Sequence, residues 1–261
     1  MLKQTMLTRI SAALSRATPD EAPELLPPFS FRTPAGAEGL SGEFCAELEK
    51  VGGRARRVRT CEEVLAGLEE LPALEGDAPV AVSDGELLRE FGVRERIVSA
   101  GYRVIPPFAE YAAARRAGAE AGRGGKDAAG LFDSYKRELS CARVGVTSAD
   151  YGIAGTGTLV LVSTKERHRL ISLLPPVHFC LLDSRRIVAS LPDLLARVQA
   201  DAYDGGPPPP AMTFITGPSR TADVEHTITL GVHGPHALHL FLYERPGESG
   251  GVSPEPFIEE V

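Results

Sequence analysis

Short, uninterrupted apolar runs recur along this chain between stretches of helical periodicity, and that alternation restricts the fold more than any other feature. The clearest runs are VHFCLL at 177–182 and LHLFLY at 238–243, with shorter ones at 80–82, 103–105 and 159–162. Runs this short are strand-length rather than helix-length. Between them, Phe44, Leu48 and Val51 recur at helical spacing before Gly52-Gly53, a plausible stop, and Val64, Leu65, Leu68 and Leu71 repeat the pattern before Pro72. Strands that alternate with helices pair in parallel, so the expected fold is α/β, an open and mostly parallel sheet with a helical N-terminal region. The expected organisation is a helical N-terminal extension over 1–40 and one domain over 41–261.

Composition is consistent with this. At 261 residues, 43% hydrophobic and 24% charged, the chain can bury a sizeable core. Its net charge of −7 argues against a nucleic-acid scaffold, and the basic run Arg54, Arg56, Arg57, Arg59 is too short to reverse that. No stretch approaches the roughly 18 apolar residues of a membrane span. Residues 1–16 read as an amphipathic helix without a signal-peptide core, so a cytoplasmic protein with no membrane span is expected.

The four cysteines, Cys45, Cys61, Cys141 and Cys180, are far apart, whereas iron–sulfur and zinc sites usually draw two thiolates from a close C-x-x-C spacing. Neither a cluster nor a metal is expected, and the thiols read as buried and reduced. His233, His236 and His239 recur every third residue, but Pro235 interrupts a helix there. A strand over 238–243 would send His236 and His239 to opposite faces, which favours ordinary hydrogen-bonded histidines over a metal site. Gly124-Gly125-Lys126 does not make a phosphate loop, because the required earlier glycine is Glu120 and the following Ser or Thr is Asp127. Residues 117–130 read instead as a surface loop, and DGGPPPP at 204–210 as an extended connector.

The second half carries the chemistry. Thr156, Gly157 and Thr158 precede an apolar strand; they form either an anion-binding nest of amides and hydroxyls or merely a tight hairpin entry. Arg169 offers a bidentate fork for a carboxylate or phosphate, or a surface ion pair. After the strand at 212–215, Gly217, Pro218 and Ser219 lead into a segment of helical character. That would set Ser219, Arg220 and Thr221 at a helix N-terminus suited to an anion, or make Ser219 or Thr221 the N-cap with Asp223 in the first turn.

Four blocks in order resemble the LUD-domain, or lactate-utilisation, family: A-x-T-G-T at 154–158, R-x-x-x-L-L-P at 169–175, I-T-G-P-S-x-T-A-D at 215–223 and G-V-H-G-P at 231–235. The resemblance is close over 144–243 and makes 41–261 the LUD domain. It implies a fold similar to the sugar-phosphate isomerase and CoA-transferase group, with ligands at strand ends. It also implies an accessory, non-redox subunit acting with two iron–sulfur partner proteins in oxidising L-lactate to pyruvate. An independent enzyme or binding protein for a CoA thioester, folate or phosphorylated metabolite is the alternative. The expected ligand residues for a small anion are Thr156, Gly157, Thr158, Arg169, Gly217, Ser219, Arg220, Thr221, Asp223 and His233. One departure stands out: the family usually carries an acidic residue where this chain has Gly155, which removes a carboxylate that could act as nucleophile or base. Asp223, Glu225 and His233 remain as titratable candidates, with no catalytic role assigned to any of them.

Overall fold

The computed structural model describes residues 39–70, 77–120, 128–163, 169–202, 209–222 and 228–245, all within the unit Thr33–Val261. The expected helix over 1–16 lies outside these residues.

Helix α1 (Gly39–Lys50) buries Phe44 and Leu48, one turn apart on a single stripe. It ends at the glycine pair: Gly52, at φ +87°, donates its N–H to the Glu49 carbonyl (2.9 Å), and Gly53 donates to Leu48 O (3.0 Å). Strand β1 (Arg54–Val58) follows, then α2 (Cys61–Glu69), whose N-cap Thr60 accepts the Glu63 N–H. Next come β2 (Val80–Val82), α3 (Glu86–Glu90), α4 (Val93–Ser99) and β3 (Val104–Ile105). Helices α5 (Phe108–Glu120) and α6 (Ala128–Ser140) then lead to β4 (Val144–Ser148). The loop expected at 117–130 is therefore helical at both ends, because its alanine, glutamate and arginine side chains favour helix; 121–127 lie outside the described residues.

Six strands form one sheet in the order β1-β12-β7-β4-β2-β3, with β7 (Val177–Asp183) and β12 (Ala237–Tyr243) near its centre. All five pairings are parallel. Every residue of β7 is buried, as an unbroken apolar run in a covered parallel sheet requires. One face packs Val80, Val146, Phe179 and Phe241 against Val64 and Leu68 of α2, Leu88 of α3 and Ile97 of α4. The opposite face is shared: Cys180, Leu240 and Leu242 meet Phe44 and Leu48 of α1, while Ala81 and Ile105 meet Tyr135 and Leu139 of α6.

A second sheet, absent from the sequence expectation, lies on that opposite face in the order β8-β5-β6-β9. Its strands are β5 (Tyr151–Ile153), β6 (Thr158–Ser163), β8 (Ile187–Val188) and β9 (Ala211–Ile215). Leu159 and Leu161 turn inward onto α1 and the large sheet, whereas Tyr151, Ile153 and Val160 receive Leu194 and Val198 of α7 (Leu191–Ala202). The segment after Ser219 is not helical. Strands β10 (Arg220–Ala222) and β11 (Ile228–Leu230) pair as an antiparallel hairpin, Thr221 facing Thr229. The N-cap chemistry of Ser219 and Thr221 gives way to the ladder because the Ser219 N–H is bound by Pro235 O at 2.8 Å, which holds the chain extended.

The amino edge of the large sheet is traced by hydrogen bonds just ahead of the strands. Val80 N donates to Arg103 O, Arg143 N to Pro79 O, Val177 N to Arg143 O and His236 N to Pro176 O. Because α1 runs back to this edge before β1 begins, its C-terminal end lies here too. Among the described residues, no helix is long and apolar enough to cross a membrane.

Candidate anion-binding site

Strand β6 begins at Thr158, and β9, its antiparallel neighbour, ends at Ile215 opposite Leu159. That register carries Thr216 alongside Thr158. Their hydroxyls lie 2.8 Å apart, and Thr158 Oγ1 also meets Thr156 Oγ1 at 2.7 Å. Thr158 is buried, while Thr156 and Thr216 are exposed, so the row of three hydroxyls opens to solvent at both ends. Three hydroxyls carry three hydrogens, and two are engaged within the row. One remains, and it lies at an exposed end when Thr158 donates within the row.

Two glycines allow this closeness. Gly157 sits at φ +59°, and a β-carbon there would lie 2.2 Å from Leu48 N. Gly217 sits at φ +87°, where a β-carbon would come within 2.7 Å of Val51 O. The end of α1 is thus wedged against both turns, which leaves no room for a side chain at either.

Arg220 brings the charge. A β-carbon on Gly52 would lie 3.1 Å from Arg220 Nη2, so the guanidinium rests over the C-terminal end of α1, where helix carbonyls favour a cation. Among the described residues no carboxylate pairs with it, and it is exposed. The last family block closes the other side: a β-carbon on Gly234 would lie 3.2 Å from Ser219 Cβ, and Gly231 N donates to Ser219 O at 2.9 Å.

Of the ten residues expected at the site, Thr156, Gly157, Thr158, Gly217, Ser219 and Arg220 meet at this edge, with His233 exposed on the adjoining loop. Thr221 is the next residue, in β10. Arg169 stands apart, at the start of a turn (Arg169–Ser172) whose Leu170 and Ile171 pack with Tyr135 and Leu139 of α6. Asp223 lies outside the described residues. Two of the backbone amides expected to greet the ligand are engaged, Gly157 N with Ala154 O and Ser219 N with Pro235 O, which shifts the role of donor toward the hydroxyls and the guanidinium. Sequence reasoning missed Thr216 and Gly52. Thr216 was present inside the 215–223 block, whereas Gly52 enters through a contact 168 residues away in the chain, roughly a whole domain apart.

Position 155 faces solvent but is tight against one backbone oxygen. Gly155 is exposed, its N–H donates to Ala189 O at 3.1 Å, and the nearest atom to a β-carbon there would be that same oxygen at 3.2 Å. The thiols are dispersed: Cys45 on α1, Cys61 on α2, Cys141 after α6 and Cys180 in β7. Burial pushes the Cys180 thiol up to about 12. No group of three His, Cys, Asp or Glu side chains among the described residues could hold a metal ion.

An open parallel α/β sheet with a second sheet folded over one face, and a hydroxyl row at its amino edge with the Arg220 guanidinium beside it, defines the class of protein. Within it the chain belongs to the LUD-domain family: residues 42–243 match the family model described as the LUD domain. It is similar to Lactate utilization protein C of Geobacillus kaustophilus, 32% identical over 187 residues that span 71% of each chain. It is also similar to Lactate utilization protein C of Bacillus licheniformis, 36% identical over 105 residues. That match spans 40% of this chain and 44% of the relative, so less than half of the relative's length is covered. The fold is shared with the crystal structure of a DUF162 family protein from Deinococcus radiodurans, at a TM-score of 0.50 and 19% identity, over 81% of this chain and 100% of that one.

Proposed function

We propose that the chain is a cytoplasmic, non-redox subunit of a system that oxidises L-lactate to pyruvate, acting beside two iron–sulfur partner proteins, and that its amino-edge site holds a small anionic metabolite. The carrying observation is the meeting of three family blocks, 154–158, 215–223 and 231–235, at one hydroxyl row beside Arg220. The names borne by the relatives support lactate utilisation, and the dispersed thiols support a subunit that leaves electron transfer to its partners. A strain lacking the gene should fail on L-lactate as sole carbon source and grow normally on pyruvate; equal growth on both, with no second lactate dehydrogenase present, ends the assignment.

Arg220, with no carboxylate partner among the described residues, also favours a second reading, an independent enzyme or binding protein for a CoA thioester, folate or phosphorylated metabolite. Calorimetry in low salt with phosphate, pyruvate and an acyl-CoA separates the two, together with turnover assays on the purified chain. In either case Arg220→Ala should weaken the bound anion by about 1.5–3 kcal/mol, roughly ten- to a hundredfold. Unchanged affinity would remove Arg220 from the site.

A further inference from the structure

The two edges of the large sheet differ in how their arginines are matched. Toward the carboxyl edge, Arg57 and Arg59 face Glu244, Arg89 pairs with Asp84, and Arg245 bridges Glu90 and Asp183. At the amino edge, Arg54 opens β1, Arg103 precedes β3, Arg143 precedes β4, Arg169 opens the turn that leads to β7, and Arg220 opens β10, opposite Leu230. All five are exposed, and among the described residues none forms an ion pair. Glu49, Glu69 and Asp77 lie toward this edge as well, yet none of them pairs with these arginines; Glu70, beside Glu69, pairs instead with Arg56 farther along β1.

This row is long. Six strands at about 4.8 Å spacing put roughly 24 Å between β3 and β1, more than a small carboxylate or phosphate can bridge. Apolar surface accompanies the charge. Leu174, just ahead of Pro175-Pro176, is 39% exposed, and Leu230 and Val232, on either side of Gly231, are 55% and 50% exposed. Aliphatic side chains amid arginines are the mixture that protein interfaces favour, with an apolar centre and guanidinium groups that grip carboxylates bidentately. A nucleic acid fits less well. The chain's net charge of −7 opposes a long polyanion, and the exposed apolar residues here are aliphatic rather than aromatic stacking platforms.

We propose that this amino edge is the docking surface for a protein partner that presents a carboxylate-rich face with an apolar centre. The inference rests on charge pairing and exposure, and it stands independently of the lactate reading.

The test uses the full chain in its native host, with benzoylphenylalanine placed singly at Leu174, at Val232, and at Leu195 on α7 as a control. After irradiation, mass spectrometry identifies the crosslinked peptide. The expected result is one protein, captured from positions 174 and 232 through a segment rich in Asp and Glu, and not from 195. Arg103→Glu combined with Arg143→Glu should cut that adduct about tenfold or more, whereas Arg59→Glu at the opposite edge should leave it intact. Both charge variants replace exposed side chains, and an unchanged melting temperature verifies that they fold. The proposal is overturned by no adduct, by an adduct with a second copy of this chain or with nucleic acid, by equal capture from position 195, or by an adduct indifferent to the double reversal.

Discussion

Replacing Gly157 by alanine isolates what the turn at the hydroxyl row demands of the backbone. The residue sits at φ +59°, and an added β-carbon would lie 2.2 Å from Leu48 N, 2.6 Å from Leu48 Cα and 2.7 Å from the Glu47 carbonyl carbon. These are main-chain atoms of α1, so no side chain can rotate out of the way. A left-handed alanine costs about 1–2 kcal/mol and forced overpacking about 1–3 kcal/mol more, together roughly 2–5 kcal/mol out of a typical total of 5–15. With a urea m-value of about 2 kcal/mol/M, the unfolding midpoint should fall by about 1–2.5 M. Gly155→Ala, two residues earlier in the same block, is the matched control: its φ is ordinary, it is exposed, and its nearest contact is 3.2 Å from Ala189 O. With ordinary φ and a single tight contact, it should cost clearly less, about 1 kcal/mol or below. If the two variants unfold at the same urea concentration, the argument that α1 closes onto this turn is wrong.

Three further outcomes are expected. His178, fully buried with Nε2 2.7 Å from Thr147 Oγ1, has its pKa lowered to about 3 by burial, so below pH 6.5 the unfolded chain takes up a proton that the folded chain excludes. Stability should therefore fall as pH drops from 6.5 toward 3, by up to about 1.4 kcal/mol per unit, and His178→Gln should flatten that slope between pH 6 and 5; an identical slope refutes it. Burial pushes the Asp183 carboxyl upward, but bonds from the Arg185 side chain and amide and from Arg245 overcome this and hold it below its ordinary value. Its stabilisation is present at neutral pH and lost as pH falls through the carboxylate range, so Asp183→Asn should cost about 1–3 kcal/mol at pH 7 and progressively less in acid, as denaturant titrations at pH 7 and pH 3 would read. Tyr151→Phe removes a 2.7 Å bond donated to Asp201 that fastens α7 to β5, and should lower stability by about 1 kcal/mol; a melting curve superposable on the parent's would show that bond to be immaterial.

The large sheet was legible because its strands are short apolar words set between helical stretches. VHFCLL and LHLFLY became β7 and β12, and Gly52-Gly53 ended α1 as glycine at positive φ does. The 220–230 hairpin was not legible. Ser219, Thr221 and Asp223 carry the chemistry of a helix start, and only the tie from Ser219 N to Pro235 O, sixteen residues on, selects the extended form. The second sheet was hidden for a similar reason. Its two-residue strand β8 and three-residue strand β5 are too short to show a period, and they exist because β7 and α7 bring them together. At the site, the residue types were readable, and so was the adjacency of two blocks. The engaged amides and the guanidinium over α1 depend on long-range packing that local pattern does not encode.

The parallel pairing of β1 with β12 joins Arg54 to His239. Ribosomes add about 5–20 residues each second, so roughly 185 residues of further synthesis, some tens of seconds at the slower rate, separate the emergence of the first strand from that of its partner. Throughout that interval α1 and β1 have left the ribosome while Leu238, Leu240 and Leu242, against which Phe44 and Leu48 pack, have yet to be made. The nascent chain must therefore carry an open strand edge and an incompletely covered apolar stripe until β12 is translated. A molecular chaperone would have most to do around α1 and β1, and a premature stop before residue 237 would leave β1 permanently without its partner strand.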